Sequence, residues 1–117
     1  MKRVAIPIAN ERLSEFFGEC NYYEIFDIDK NSSKKKMAIM PAGIAANDLP
    51  SWLEKQGITD VIAYKVNHEI ISLFASKKVN LFVGIPINTS ENLIEDYMSG
   101  KLESDKKIIA EITKTEI

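Results

Sequence analysis

The chain has very few of the residues that build disulfides and metal sites. Among its 117 residues there is one cysteine, Cys20, and one histidine, His68. A single cysteine cannot form an internal disulfide, so the composition favours the cytoplasm over an oxidising compartment. The apolar run in MKRVAIPIANERL is too short for a signal peptide. No window approaches the roughly 18 apolar residues of a membrane span. We therefore expect a cytoplasmic protein with no membrane partner.

An excess of charge of one sign is also lacking. The sequence has 15 basic and 17 acidic residues, which gives a formal net charge of −2. Proteins that bind nucleic acids usually carry a basic excess on one face, so we expect no nucleic-acid partner. The densest basic run, residues 34–36, follows Asn31-Ser32-Ser33. We interpret that run as a solvated hairpin turn rather than a phosphate-binding patch.

What is present suits one α/β domain spanning residues 1–117, with 103–117 as a mobile or added tail. The apolar share is 45% and the charged share 27%, as in ordinary globular proteins. Apolar and β-prone runs predict five strands, near residues 4–8, 22–28, 35–41, 59–64 and 79–86. Helical patterns and caps predict three helices, near residues 48–57, 67–78 and 88–102.

This order, β-β-β-α-β-α-β-α, predicts a five-stranded mixed sheet flanked by about three helices. Residues 22–41 are expected to form an antiparallel hairpin, and the later βαβ units to add parallel strands. Pro7 has no amide hydrogen, so the first strand is expected either at the sheet edge or to be near its own end at that point. Asp48, Asn67 and Thr89 or Ser90 are the predicted helix N-caps, and Gly57 and Gly100 the predicted helix ends.

Ligands of open α/β sheets tend to bind beyond the carboxyl ends of the strands. Three predicted loops qualify, at residues 9–21, 41–48 and 65–68, and Cys20 and His68 lie in or beside two of them. Thiolate and imidazole suit soft or borderline metals and iron–sulfur species. Two ligands fall short of a closed tetrahedral site, but a cluster brings its own sulfides. The alternatives are that Cys20 is a small buried apolar residue and that His68 is exposed or caps a helix.

Other chemistries have weaker support. A nucleophilic pair of Cys20 and His68 lacks an identifiable third, orienting residue. Asp27 and Asp29 share one face of a strand, but carboxylates near a hairpin turn are usually only solvated. The sequence has neither a phosphate-binding P-loop nor a Gly-x-Gly-x-x-Gly motif. We therefore predict no catalytic residue and expect that the protein is not an enzyme.

A resemblance to a known family is carried by the order of the predicted elements and by three phrases. The phrases are RLSEFFG followed by Cys20, LPSWLEKQGITDVIA and the closing YMSGKL. From residue 3 to about 102, the sequence resembles the dinitrogenase iron–molybdenum cofactor biosynthesis family. The resemblance implies a ribonuclease-H-like α/β fold. It also implies binding of a metallocluster at the loops that follow the strands.

The resemblance is incomplete at the positions where the family usually places its ligands. The family's His-Phe-Gly appears here as Phe16-Phe17-Gly18, and its glycine-rich loop after strand four appears as residues 64–67. Cys20 stands where members often have cysteine or another small residue. The histidine that would be a natural ligand is thus replaced by Phe16.

Taken with the resemblance, the sequence implies a small non-enzymatic accessory protein that binds an iron–sulfur or iron–molybdenum type cluster. Cys20 is the expected thiolate ligand and His68 a second metal ligand, with Gly18, Phe17 and Asn67 beside the cofactor. The expected partner is the metallocluster or a cluster-assembly protein. The alternative is a divergent member without a cluster site that acts as a protein-interaction or regulatory module. The oligomeric state stays open.

Overall fold

The computed structural model describes residues 2–30, 32–39, 41 and 43–104, so most of the predicted tail lies outside the described residues. A short 3-10 turn, Ala46–Asp48, precedes the first helix. The strands are β1 (Lys2–Ala9), β2 (Arg12–Leu13), β3 (Tyr22–Asp29), β4 (Ser32–Ala38), β5 (Asp60–Ile62) and β6 (Asn80–Phe82). The helices are α1 (Leu49–Lys55), α2 (His68–Ser76) and α3 (Ser90–Met98).

The sheet runs in the order β4-β3-β1-β5-β6. The hairpin of β3 and β4 is antiparallel, and β1, β5 and β6 are parallel, which confirms the predicted mixed sheet. The predicted number of five strands is wrong, because the two-residue β2 pairs antiparallel with the end of β1. Two successive left-handed residues, Asn10 (φ 53°) and Glu11 (φ 66°), turn the chain back immediately after β1.

Two local expectations also need correction. The edge alternative for the first strand is wrong, because β1 pairs with β3 on one side and β5 on the other. Pro7 is tolerated there because β5 pairs only with Val4 and Ala5. The interpretation of residues 34–36 as a turn is also wrong. Pairing continues to Asp29 and Ser32, so the three lysines lie inside β4.

The sheet separates two apolar layers. Helices α1 and α2 cover one face with Leu53, Ile70 and Phe74, which pack with Ala5 and Val61. Helix α3 contributes Leu93 and Ile94 to the other face, where they pack with side chains such as Ile6 and Ile62. All three residues of β5 are buried, as expected for a strand covered on both sides.

The helix ends follow the predicted capping chemistry with one exception. The Asn67 side chain accepts a hydrogen bond from the Ile70 amide at 2.8 Å, and Thr89 caps α3 in the same way. Gly57 follows α1 with a φ of 79°. Asp48 stands at the N-cap of α1, but its side chain makes no capping bond because its backbone belongs to the preceding 3-10 turn. In the described residues, no helix is long and apolar enough to cross a membrane.

A buried carboxylate joins three elements at the end of the sheet where the internal strand β5 begins. Asp60 is 2% exposed and accepts hydrogen bonds from Thr59 at 2.7 Å, Asn80 at 3.0 Å and the Tyr97 hydroxyl at 3.0 Å. Burial, followed by the charge of Asp60, raises the pKa of Tyr97 to about 12. Since a buried carboxylate needs its donors, these bonds tie β6 and α3 to β5.

Replacing Tyr97 with phenylalanine tests this tie. We expect Tyr97→Phe to lower the free energy of unfolding by about 1 kcal/mol below pH 10. The unfolded tyrosine loses its proton near pH 10.0 and the folded one near 12. The wild type therefore loses stability as pH rises from 10 to 12, and the difference between the two proteins shrinks there. Urea unfolding at several pH values measures this difference.

Tyr22→Phe is the matched control, since Tyr22 packs against the same face from the opposite edge of the sheet. A Tyr97→Phe protein with wild-type stability at pH 8 would show that the bond to Asp60 does not stabilise the fold.

Candidate functional site

The carboxyl ends of β1, β4, β5 and β6 lie at one edge of the sheet, called here the carboxyl edge. Main-chain hydrogen bonds join the loops there. The Phe17 amide donates to the Lys65 carbonyl at 2.9 Å, and the Lys65 amide donates to the Glu15 carbonyl at 3.1 Å. The Leu13 amide donates to the Asn88 carbonyl at 3.0 Å. The loop after β1 is therefore bonded to the loops after both β5 and β6.

A groove with a volume of about 510 Å³ opens at this edge, within the range of small-ligand sites. We call it the edge groove. Its rim carries two exposed apolar side chains, Phe16 at 44% and Ile87 at 41% exposure. The groove is lined by Ala9, Asn10, Arg12, Leu13, Ser14, Glu15, Phe16, Glu19 and Ile87. A cavity of about 340 Å³ adjoins it and shares Asn10, Arg12 and Ile87.

The Lys65 side chain fixes the aromatic side of the groove. Its Nζ lies 5.5 Å from the ring centroid of Phe16 and 5.4 Å from that of Tyr64. The same atom lies 3.5 Å from a carboxylate oxygen of Glu15. Sequence reasoning assigned Lys65 no role, because two of its partners, Glu15 and Phe16, come from a loop about fifty residues away. The only signal was the placement of both loops after parallel strands.

Cys20 lies on the side of the loop that faces the helices α1 and α2. It is half-buried against that apolar layer. Burial raises the pKa of its thiol to about 11, although hydrogen bonds involving Tyr23 and the main chain of Cys20 and Ile8 oppose the increase. The Cys20 thiol is therefore protonated at neutral pH. A reactive cysteine would instead have a lowered pKa.

Tyr23 connects Cys20 to the core. It is completely buried, and its hydroxyl donates to the Phe17 carbonyl at 3.0 Å. Burial and then the neighbouring Cys20 raise the Tyr23 pKa well above its usual value. Phe17 is 2% exposed and packs edge-on against Tyr23 and Phe74, with ring centroids 5.8 and 5.5 Å away. Phe17 thus has a structural role in the core.

Gly18 lets two loops approach closely. A Cβ atom at this position would lie 3.2 Å from the Cβ of Ala46, in the 3-10 turn that precedes α1. With the bonds to Lys65, this contact brings together all three loops that the sequence placed at the site. Because Gly18 has no Cβ atom, the loop after β1 can pack directly against the 3-10 turn at Ala46.

Asn67 and His68 begin α2. Asn67 is its N-cap, and His68 is exposed as the first helical residue. Neither Cys20 nor His68 lines the edge groove. Their assignment as ligands, together with the cofactor contacts assigned to Gly18, Phe17 and Asn67, stays a prediction.

The side chains present give a partial fit to a metallocluster. In residues 2–30, 32–39, 41 and 43–104, no three or more His, Cys, Asp or Glu side chains are grouped to hold a metal ion. Protein side chains in this part of the chain therefore do not complete a closed site for a bare ion. A preassembled cluster would need fewer protein ligands, and Cys20 is the residue that would offer a sulfur to it.

The raised pKa of Cys20 has a kinetic consequence. A pKa near 11 in place of 9.0 makes the thiolate population at pH 7 about a hundredfold smaller. We expect iodoacetamide to alkylate the folded protein at least about a hundredfold more slowly than the urea-unfolded protein. Mass spectrometry at a series of times measures both rates.

The double variant Cys20→Ser with Ser51→Cys is the control, because it moves the thiol to an exposed position on α1. Its alkylation rate should level off near pH 9, whereas that of the wild type should keep increasing to about pH 11. Equal rates at pH 7 in the two folded proteins would contradict the account of Cys20.

Known proteins similar to this chain support the resemblance seen in its sequence. The family described as Dinitrogenase iron-molybdenum cofactor matches residues 1–100. An uncharacterized protein of Methanocaldococcus jannaschii is 26% identical over 110 residues, which cover 88% of this chain and 91% of that protein.

Two solved structures show the same fold. The crystal structure of PH0822 has a TM-score of 0.80 at 25% identity and covers 89% of this chain and 95% of its own. The apo orange protein of Desulfovibrio gigas has a TM-score of 0.74 at 11% identity, over 91% of this chain and 94% of its own. The likeness to the orange protein concerns the fold alone. The match over residues 1–100 shows that this chain belongs to the dinitrogenase iron–molybdenum cofactor family.

Proposed function

We propose that the protein is a small non-enzymatic accessory protein that binds an iron–sulfur or iron–molybdenum type cluster as cargo at the carboxyl edge. The observation that carries the proposal is the convergence of three loops around the segment bearing Cys20. That segment is bonded to Lys65 and packed on Ala46. Membership of the family supports metallocluster chemistry for this site.

Cys20 is the proposed thiolate ligand. Because its pKa is near 11, cluster binding must release the thiol proton, and binding is expected to strengthen as pH rises. His68 is the proposed second ligand from the start of α2. Gly18, Phe17 and Asn67 are proposed to shape the site, in addition to the structural contacts that each makes.

The remaining parts of the proposal concern the setting of the protein. A cluster-assembly protein is the proposed partner, and the cytoplasm is the proposed location. The ribonuclease-H-like classification implied by the sequence resemblance also belongs to this proposal. Its support is a mixed sheet with helices on both faces.

The second candidate is a family member without a cluster site that acts as an interaction or regulatory module. Two observations favour it. The Cys20 thiol is protonated and half-buried, and Phe16 occupies the position of the expected histidine. Under this hypothesis the edge groove, with Phe16 and Ile87 exposed at its rim, contacts a partner protein, and Cys20 binds no cluster.

Anaerobic reconstitution with iron and sulfide separates the two candidates. We expect the wild type to take up a cluster stoichiometrically, Cys20→Ser to lose it and His68→Gln to bind it more weakly. Visible absorption and analysis of iron and sulfide give the readout.

The double variant Cys20→Ser with Ser76→Cys keeps one thiol in the chain and moves it to the exposed last residue of α2, at the end of that helix away from the carboxyl edge. Cluster uptake by this control equal to that of the wild type would mean that any exposed thiol recruits iron and sulfide. The absence of uptake by the wild type would favour the interaction module.

A further inference from the structure

We propose that β4 is a docking edge for an extended acidic segment of a partner protein, which adds to the sheet as a further strand. This inference goes beyond the proposed function, because β4 lies at the outer end of the sheet order, away from the edge groove. The evidence is the length of β4, its exposure and the arrangement of its lysines.

β4 is the outermost strand on one side of the sheet. It pairs with β3 along one of its sides, and in the sheet order no strand follows on its other side. Its seven residues extend for about 24 Å, and the first six are exposed. The opposite edge strand, β6, has only three residues. The Val83 amide just after it donates to the Ser104 hydroxyl at 3.1 Å. Of these two edges, β4 therefore offers the longer row of backbone donors and acceptors.

The lysines of β4 divide between its two faces. Lys35 points toward α3, where its Nζ lies 2.8 Å from Glu91 and 3.5 Å from Glu24. Lys34 and Lys36 share the other face, opposite Asp27 and Ile25 of β3. The Asp27 carboxylate already accepts a hydrogen bond from Arg3 at 2.6 Å.

In the part of the chain that the structure describes, Lys34 and Lys36 make no ion pair. They stand about 7 Å apart, the spacing of alternate residues along a strand. Carboxylates at alternate positions of an incoming strand have the same spacing and would face them. Met37 (61% exposed) and Ile39 (75% exposed) provide apolar contact at the end of the strand.

The same lysines oppose pairing with a second copy of this chain. In an antiparallel pair of β4 strands centred on Lys35, Lys34 of each copy would face Lys36 of the other. Like charges directly opposite one another destabilise strand pairing. Lysines on an edge strand thus disfavour basic strands, including β4 itself in this register, and leave an acidic strand as the favoured occupant.

A synthetic peptide of the same length as β4, in which glutamate alternates with valine, tests the proposal. In amide NMR titrations of the full chain, we expect the shifts to concentrate in residues 32–39. The variant Lys34→Glu with Lys36→Glu should weaken binding by roughly tenfold or more. Lys55→Glu with Lys78→Glu, which makes the same change of net charge elsewhere on the surface, should bind as the wild type does.

Two further peptides separate strand addition from simple charge attraction. A peptide with the same charges that is N-methylated at every amide should not bind, because it lacks strand donors on both of its edges. A peptide with lysine in place of glutamate should not bind either. Circular dichroism and urea unfolding establish that both charge variants are folded.

Several results would overturn the proposal. They are no binding at roughly millimolar peptide, equal binding of the N-methylated peptide, equal weakening by the two charge variants, or shifts centred outside β4. Self-association through β4, detected by sedimentation without peptide and abolished by the variant at positions 34 and 36, would identify a second copy as the occupant instead.

Discussion

The structure depends on the pairing of β1 on both of its sides. Its antiparallel bonds to β3 and parallel bonds to β5 make it the strand at which the sheet changes direction. Val4, Ala5 and Ile6 are completely buried, and they connect the apolar layers on the two faces. The loop that follows β1 extends this pairing beyond the strand. It bonds to Lys65 after β5 and to Asn88 after β6, so the carboxyl edge is organised by main-chain hydrogen bonds.

This organisation separates the edge groove from the Cys20 thiol, although both belong to the loop after β1. Phe16 and Glu19 face the edge groove, whereas Phe17 and Cys20 face the apolar layer beneath α1 and α2. The burial that fixes the loop also raises the pKa of the Cys20 thiol. A cluster bound through Cys20 must therefore displace a proton from a thiol held by the core. Under the proposed function, that cost would make cluster binding dependent on pH and on the strength of the bond between iron and the Cys20 sulfur.

The sequence predicted much of the fold because the signals for it are local. The β-prone run around Ile25 predicted the hairpin, and Asn67 and Thr89 predicted the starts of two helices. Strand β2 escaped prediction because Glu11 gives no sign of the left-handed turn that it adopts. The site was predicted only at the level of its loops. The Lys65–Phe16 contact and the pKa of Cys20 arise from tertiary packing between distant segments.

The most direct test is to locate the bound cluster on the folded protein. Anaerobic addition of iron and sulfide to isotope-labelled protein should broaden amide NMR signals by paramagnetic relaxation. The account predicts that broadening is strongest in residues 14–20 and 63–68, on either side of the bond between Phe17 and Lys65. Broadening centred on Asp60 and Asn80, at the opposite edge of the sheet, would contradict a site at the carboxyl edge.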